Sequence, residues 1–557
     1  MVSHLLAALL VLGSSPNPPM WTDGTPLVPG IMEMTGRHDP TVLPSGPLAS
    51  GDKGHEVGDT INFWAIDYSG EYPKFYITPA TCRYVGGRTY IFVEDSQWEV
   101  NYDQEALAAF AQSLEHSTPA CSLGIVERDT QVFGGIPDEI DGDPKVYFLV
   151  LDIRDGFDPL EGGSYIAGFF SPYNQFTETE AYLYYGGHSN EVEMLYIDCF
   201  PADQYDAAYT ASHELVHLIQ WGLKPFNSEE LWVIENQAQA GTFVCGYPAF
   251  QVTTFLEVGG VTPIKWTDLN DMVEYVAGYG AGYLFFAYLF EHYGGEDYLY
   301  RSLRTSEGGI QGISQAILEA TGEYPDMDRI LADWMLACWI DDPGFGNGRY
   351  GWKSFRIADY DTIAPGNRPG LDYDFLVERD PFLSSGHRLS SYQGGYYTVS
   401  PQVGGSFRAD AYGLGTLTSY VYDPAAGTLS EVGTGMSGDV SIPLPLDGDI
   451  LLLCSSFSGL NLDVAAGSVA GTGDVFALYP QPCHGTLYLQ FMSDGSDVVF
   501  EIFSVDSRHV DTVEFESPGT GEVTLALPVV ADMASGTYLY RFKQGSRVET
   551  GSFAVVR

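Results

Sequence analysis

Segments with helical spacing of apolar residues stop near residue 375 and do not return in the rest of the chain. Beyond that point, short strand-like runs such as YYTVS, TSYVYD and DILLLCSS are separated by turn residues. This spacing is typical of β-sandwich modules. Before residue 375, apolar runs of strand length alternate with segments of helix length, a pattern that predicts an α+β domain. The chain must therefore combine mixed and all-β domains.

The chain has 557 residues, which is more than one hydrophobic core organises, so we expect several domains. Changes in sequence texture predict five segments: a signal peptide over 1–20, a β-rich domain over 21–122, an α+β domain over 123–375, a β-sandwich over 376–475 and an immunoglobulin-like module over 476–557. Residues 21–122 are also a candidate pro-segment.

The N-terminus carries a short apolar run, Leu5 to Leu12, followed by small residues and proline. This pattern is typical of a secretory signal peptide and is too short for a membrane span. The next candidate, Tyr283 to Phe290, ends at Glu291 and His292, which favours a buried core helix. We therefore predict an exported, secreted or cell-surface protein without a transmembrane segment.

The chain is strongly acidic, with a net charge of −49 from 74 acidic and 25 basic residues. Such a chain repels phosphate backbones, which argues against nucleic-acid binding. The seven cysteines include no C-x-x-C pair, so neither a cysteine zinc site nor a redox pair is indicated. Disulfide pairing stays open. Histidine and carboxylate side chains remain as the candidate metal ligands.

Residues 213–217 read His-Glu-Leu-Val-His within a segment free of Gly and Pro until Gly222. On a helix, His213 and His217 lie one turn apart on the same face and can bind one metal ion. Zn²⁺ suits imidazole and carboxylate ligands, and it lowers the pKa of a bound water to about 7. Glu214 is then the candidate general base for hydrolysis by that zinc-bound water.

A third protein ligand is expected downstream of His217. Glu235 lies in LWVIENQAQAG, a second predicted helix that can hold a carboxylate rigidly. Glu229 and Glu230 are the rivals, although their position at the start of this segment is typical of solvated cap residues. The metzincin arrangement, which requires Gly at position 220 and His at position 223, is excluded because Gln220 and Leu223 stand there.

ASHELVHLIQW followed by ELWVIENQAQAG resembles the helix pair of gluzincin-type zinc peptidases, close to the hyicolysin-like and immune-inhibitor-like secreted bacterial enzymes. Similarities upstream (SNEVEMLYID) and downstream (YGAGYLFFAYLFEHYGG) extend the resemblance over residues 125–340. It implies a zincin-like fold for residues 123–375 and a secreted zinc endopeptidase. The sequence departs from the group at Gln239 and in a slightly shorter loop after His217.

An electrophile should stabilise the oxyanion that forms during peptide hydrolysis. Tyr279 and His292 are the candidates, because both lie in the later predicted helix of this domain. The competing interpretation is that Tyr279 is one of many core tyrosines.

A second cation site is suggested by the acidic segment PDEIDGDP, which contains Asp138, Glu139, Asp141 and Asp143. Carboxylates at this density are typical Ca²⁺ ligands. Their order does not match an EF-hand loop, so a polar turn before the Lys145 strand is the competing interpretation.

The last segment opens with YPQP and closes with GSFAVVR, and it resembles the immunoglobulin-like modules that serve as type IX secretion sorting domains. It implies attachment at the cell surface. Two alternatives to a general endopeptidase stay open. One is a cell-surface binding or adhesion protein with an inactive or structural zincin domain; the other is a peptidase specialised for glycoproteins or short peptides.

Overall fold

The computed structural model describes residues 20–28, 54–160, 163–202, 204–258, 262–264 and 271–360, and most residues between 375 and 556. The chain divides into two compact units, residues 1–370 and residues 371–557. The predicted signal peptide, apart from Met20, lies outside the described residues. No helix of the described part is long and apolar enough to cross a membrane.

The first unit is built on a seven-stranded mixed sheet with the order β1-β6-β7-β5-β4-β3-β2. Its strands are β1 (Met20–Asp23), β2 (Thr60–Asp67), β3 (Lys74–Val85), β4 (Thr89–Glu94), β5 (Val146–Leu151), β6 (Ser164–Phe170) and β7 (Met194–Asp198). The central strands β4, β5 and β7 run parallel. Because both faces of β5 and β7 are covered, all their residues are buried, as the continuous apolar runs predicted.

The predicted separation of a β-rich domain over 21–122 from the domain that follows is wrong. Strand β4 pairs in parallel with β5 from Thr89 and Val146 to Val93 and Val150, so strands from both sides of that boundary share one sheet. Period-two alternation in β2 and β3 indicates one exposed face, but it does not reveal which other strands complete the sheet. Residues 54–122 are thus part of the layer that supports the site.

Ten α-helices are described in this unit: α1 (Gln104–Glu115), α2 (Ile125–Phe133), α3 (Glu178–Tyr185), α4 (Gln204–Leu223), α5 (Leu231–Cys245), α6 (Gln251–Val258), α7 (Met272–His292), α8 (Glu296–Ser302), α9 (Gly309–Thr321) and α10 (Met327–Ile340). Helix α4 packs on β6, β7 and α5, and α5 packs on α7. Helix α7 is buried continuously from Tyr275 to Leu289, which explains its apolar sequence.

Two glycines allow the close approaches that bring the site together. A Cβ at Gly241 of α5 would lie 2.5 Å from the carbonyl oxygen of Ser212 in α4. A Cβ at Gly168 of β6 would lie 2.4 Å from Thr210 Cγ2 of the same helix. Any larger residue would push α4 away from its neighbours on both sides.

The second unit contains only strands among its described regular elements, as the sequence predicted. Four sheets have the orders β13-β12-β15-β10-β8, β14-β11-β16-β9, β17-β18-β21 and β20-β19-β22-β23. The strands are β8 (Phe375–Val377), β9 (Phe382–Leu389), β10 (Gly394–Val399), β11 (Gly405–Gly413), β12 (Thr416–Asp423), β13 (Thr428–Met436), β14 (Asp439–Leu444), β15 (Asp449–Cys454), β16 (Leu460–Gly467), β17 (Phe476–Tyr479), β18 (Leu487–Asp494), β19 (Val498–Ser504), β20 (His509–Phe515), β21 (Thr520–Leu527), β22 (Gly536–Gln544) and β23 (Arg547–Val555). Strands β17–β23 share one core around Leu489, Phe500 and Phe542.

Candidate metal centre

Four fully buried side chains converge beside the sheet: Asp23, His213, His217 and Glu235. The two histidine Nε2 atoms are 3.1 Å apart. Asp23 Oδ2 lies 3.6 Å from His213 Nε2 and 3.3 Å from His217 Nε2. Glu235 Oε2 lies 3.5 Å and 3.7 Å from the same two nitrogen atoms. The structure therefore brings together the three ligands predicted from the sequence and adds Asp23.

The spacing of these atoms fits a tetrahedral metal ion. Zinc bonds to nitrogen and oxygen ligands measure about 2.0–2.2 Å, so adjacent ligands of one tetrahedral ion lie about 3.3–3.6 Å apart. Both Glu235 oxygens are buried and have no hydrogen-bond partner among the described residues. A buried carboxylate that faces two imidazole nitrogens at 3.5–3.7 Å is costly unless a cation or a proton lies between them. The donor set and its geometry therefore fit Zn²⁺.

The orientation of His217 is fixed by Gln220, one turn further along α4. His217 Nδ1 lies 2.8 Å from Gln220 Oε1. The amide nitrogen of Gln220 donates to Ile234 O and Gln237 Oε1, so its oxygen must be the acceptor for His217. Nδ1 therefore donates to Gln220, and Nε2 is the ring nitrogen that faces the cluster.

The rival ligands Glu229 and Glu230 are used elsewhere. Glu229 accepts hydrogen bonds from Lys224 Nζ at 2.8 Å and from the Gly309 backbone at 2.6 Å. Glu230 accepts from Trp232 Nε1 at 2.6 Å. Glu235 lies within α5 and faces α4. Of the three candidate carboxylates, it is the one that lies near both histidines.

Asp23 is the site residue that sequence reasoning missed. Strand β1 pairs in parallel with the edge of β6, and Thr22 Oγ1 donates to Tyr165 O at 2.7 Å. Asp23 Oδ1 accepts from the Thr25 backbone, which aims Oδ2 at the histidines. The sequence around Asp23 is Thr-Asp-Gly-Thr-Pro, typical of a turn, and no local spacing links it to α4.

Glu214 faces the same N-terminal segment. Its Oε2 accepts a hydrogen bond of 2.9 Å from Thr25 Oγ1, and Thr25 Oγ1 in turn accepts from the Phe170 backbone. Glu214 and Thr25 are both buried. The N-terminal segment thus contacts the metal-ligand cluster through Asp23 and the predicted base through Thr25.

Burial and neighbouring charges shift the protonation equilibria of the site. Burial, followed by the negative charge of Asp23, raises the pKa of Glu214 well above its usual value. Burial also acts to raise the pKa of Asp23, but the two imidazoles outweigh it and hold that pKa below its usual value. Burial lowers the pKa of His217, whereas Glu235 and Asp23 outweigh it and raise that pKa. Glu235 and Asp23 therefore both stabilise positive charge at His217.

Tyr279, one of the two predicted electrophiles, lies beside the cluster. Its ring centroid is 5.9 Å from that of His213, and its hydroxyl oxygen is 3.1 Å from that of Tyr275. Burial and the Glu235 charge raise the pKa of both hydroxyls, so both stay protonated donors. Tyr68 is a further neighbour that the sequence did not reveal. Its hydroxyl is buried, and burial, followed by nearby negative charges that include Asp23 and Glu214, raises its pKa.

His292, the other predicted electrophile, is not part of the site. Its Nε2 lies 3.2 Å from Gly351 O, and its ring packs on Tyr288. Because it comes thirteen residues after Tyr279 on α7, a rise of about 1.5 Å per residue places it about 20 Å further along the helix.

Residues 477–556 match the family model for the secretion system C-terminal sorting domain. The chain is therefore directed outside the cell or to the cell surface, as predicted, and the resemblance of its last module to sorting domains is confirmed. This match covers the second of the two β modules and carries no information on the metal centre.

Over 222 residues the chain is 25% identical to the neutral metalloprotease ShpI of Staphylococcus hyicus. The match covers 36% of this chain and 47% of the relative, so the chain spans about half the length of that relative. This similarity supports the resemblance to secreted bacterial metallopeptidases that the helix pair indicated.

Similar solved structures include β-glucuronidases from Lactobacillus rhamnosus and Ruminococcus gnavus, with sequence identities of 8% and 9%. They cover 31% and 29% of this chain and 36% of each of those chains, with a TM-score of 0.16 for both. At this level of similarity, they bear on neither the fold nor the function of the site.

Proposed function

We propose that the chain is an exported zinc endopeptidase of the gluzincin type, with a zincin-like fold in its first unit. His213, His217 and Glu235 would hold Zn²⁺. The observation that carries the proposal is the spacing of 3.1–3.7 Å between their ligand atoms, which suits a single tetrahedral ion. The partial similarity to a neutral metalloprotease supports the same class.

When bound, zinc would acidify a water molecule and polarise the scissile carbonyl. Glu214 would accept the proton of the attacking water and deliver it to the leaving amine. Its raised pKa would make it a stronger base than an exposed carboxylate, which suits the uptake of a proton from the water. The neutral hydroxyl of Tyr279, supported by Tyr275, would donate a hydrogen bond to the oxyanion.

We infer from the position of Asp23 that this arrangement is a latent form of the proposed enzyme. Its Oδ2 stands at the fourth corner of the ligand set, where a hydrolytic site needs water. Thr25 at the same time donates to Glu214 and so engages the proposed base. Activity would therefore require the segment Met20–Val28 to leave the site.

The extent of any activating removal is limited by the sheet. The candidate pro-segment over 21–122 includes β2, β3 and β4, and β4 pairs along its length with the central strand β5. Removing that whole range would expose one side of β5. A cut between residues 28 and 54 would instead release the inhibitory segment with the edge strand β1 and leave strands β2–β7 in place.

The proposal is tested with the full-length protein after limited proteolysis, by zinc analysis and casein hydrolysis. Glu214→Gln should keep about one zinc per chain and lose about 10²–10⁴-fold in rate. Glu230→Gln, the same substitution at a carboxylate outside the cluster, should retain activity. Equal activity of Glu214→Gln and the unaltered protein would rule out the proposed base.

The third ligand is tested by the pair Glu235→Ala and Glu229→Ala. Loss of zinc in the first and its retention in the second is the expected result. The alternative of a surface-binding protein with a structural zinc domain predicts bound zinc with no peptide hydrolysis under any condition, including after release of the N-terminal segment.

A further inference from the structure

A second group of carboxylates lies in the first unit and takes no part in the proposed metal centre. Oxygen atoms of Asp138, Asp141 and Glu193 all lie within 4.8 Å of one another. Asp138 and Asp141 belong to the loop between α2 and β5. Glu193 directly precedes β7, and its backbone oxygen accepts a hydrogen bond of 2.8 Å from Tyr147 of β5. The three residues thus join the loop to the start of two central strands.

Glu193 is the independent sign that a ligand belongs here. It is 2% exposed, and no described backbone N–H, amide, hydroxyl or basic side chain donates to its carboxylate oxygens; it contacts the Asp141 carboxyl, which can bond to it only by sharing a proton. No described Lys or Arg forms an ion pair with any of the three carboxylates. A buried carboxylate without donors is costly, and two further carboxylates nearby increase that cost. A bound cation would remove both penalties.

The composition of the acidic group differs from the one that the sequence indicated. Glu139 is exposed and stands outside it. Asp143 is occupied as a structural acceptor, with Oδ2 bonded to Tyr90 Oη at 2.8 Å and Oδ1 to the Lys145 backbone. Asp141 Oδ1 accepts from the Asp143 backbone at 2.8 Å, which holds Asp141 toward Glu193.

We propose that Asp138, Asp141 and Glu193 form a calcium site that ties this loop to the start of β7. All three ligands offer oxygen only, which suits a hard cation and disfavours zinc. Ca²⁺ takes six to eight oxygens at about 2.3–2.6 Å, so two ligands on opposite sides of it lie about 4.6–5.2 Å apart. Asp138 is exposed, which leaves room for water ligands on the outer side.

The calcium site would stabilise the first unit near the end of α4. Pro137, next to Asp138, lies against Gly222 near the end of α4, where an added Cβ would meet the proline ring at 3.2 Å. A cation that fixes the loop would therefore also support the end of the helix that carries His213 and His217. This inference concerns stability and does not rest on the proposed peptidase activity.

The test uses zinc-loaded, full-length protein in buffers freed of calcium by a chelating resin, with zinc content measured before and after. Calcium binding is measured by equilibrium dialysis with CaCl₂, and the midpoint of thermal unfolding is recorded with CaCl₂, with MgCl₂ and without either. The variants are Glu193→Gln and Asp141→Asn. Glu139→Gln is the matched control, because it removes an exposed carboxylate of the same loop.

We expect the unaltered protein and Glu139→Gln to bind equal numbers of calcium ions, and the two site variants to bind one fewer. Both site variants should lose at least half of the calcium-dependent rise in the unfolding midpoint. Without calcium, Glu193→Gln should unfold at or above the midpoint of the unaltered protein, because it removes a carboxyl group whose burial beside Asp141 is unfavourable. This last comparison separates a lost cation site from a misfolded variant.

Three results would overturn the proposal. The first is an unaltered protein that binds no calcium, and the second is a Glu193→Gln protein that binds as many ions as Glu139→Gln. The third is an equal rise in the midpoint with MgCl₂, which would exclude calcium as the intended ion.

Discussion

At the scale of single residues, the proposed metal centre depends on side chains that would bind no metal themselves. Gln220 accepts a hydrogen bond from His217 Nδ1 and is itself held by Ile234 O and Gln237 Oε1. Partners of this kind fix the tautomer and ring orientation of a ligand histidine. In the sequence, Gln220 served only to exclude the metzincin arrangement. In the structure, the same residue fixes the orientation of His217.

Replacing Gln220 by Ala should therefore weaken zinc binding by about 10–100-fold, because His217 loses the acceptor that fixes its proton. Gln220→Glu should retain most of the affinity, since a carboxylate also accepts from Nδ1. Competition with a chromogenic zinc chelator measures both values. Equal affinities in the Ala and Glu variants would contradict a positioning role for Gln220.

Glu193 should make stability depend on pH when calcium is absent. Burial and the charge of Asp141 raise its pKa to about 8 from a usual value of 4.5. Because the folded pKa is the higher one, its contribution is fully present below pH 4.5, falls as pH rises to about 8 and is constant above. Denaturant unfolding across this range should show the decline, and either Glu193→Gln or added calcium should reduce it.

At the scale of elements, a contact between site residues could be predicted when its partners lie close together in the sequence. The histidines and Glu214 share one helix and Glu235 lies in the next, so local periodicity and turn length were enough to group them. Asp23 reaches the same site from β1, and Glu193 reaches its partners from the residue before β7. Such contacts are set by strand order in the sheet, which alternation within each strand does not encode.

In the proposed latent form, β1 is the element that controls access to the site. It adds to the exposed edge of β6 through main-chain pairing, which is a recognised mode of peptide binding. A peptide with the sequence of residues 20–27, MWTDGTPL, should therefore inhibit the processed protein when added separately. The same peptide with Ala in place of Asp should inhibit at least ten-fold less. Equal inhibition by both peptides would show that Asp23 contributes nothing to the block.

Within the full chain, the corresponding substitution is Asp23→Ala. It should give some casein hydrolysis before any proteolytic processing, because loss of the carboxylate frees the fourth position of the ligand set and weakens the hold of the segment on the site, but less than the processed protein, since Thr25 still engages Glu214. Thr22→Ala is the control, since it loses the hydrogen bond to Tyr165 O and keeps the Asp23 carboxylate. Unprocessed Asp23→Ala protein that is as inactive as Thr22→Ala would argue against latency through Asp23.

At the scale of the whole molecule, two compact units carry separate tasks. The first unit contains both carboxylate-bearing sites, and the second ends in the sorting domain over residues 477–556. The absence of helical spacing after residue 375 predicted this division, because a change of period is visible along the chain itself. The single sheet of the first unit was not predicted, because its order is a property of distant pairings.

Deleting residues 477–556 should abolish delivery to the cell surface or medium in a host with the matching secretion system, because these residues match the sorting-domain family. The shortened chain, recovered from inside the cells, should still bind zinc with the stoichiometry of the full chain, since all four residues of the centre lie before residue 370. Cell fractionation with immunoblotting measures the first effect, and metal analysis measures the second.

The control is Lys543→Gln, a substitution within the sorting domain at a side chain that pairs with Glu501 on the sheet surface. This variant should still be delivered. Continued export of the deleted chain would show that its route outward is independent of this module, and loss of zinc would show that the two units depend on each other.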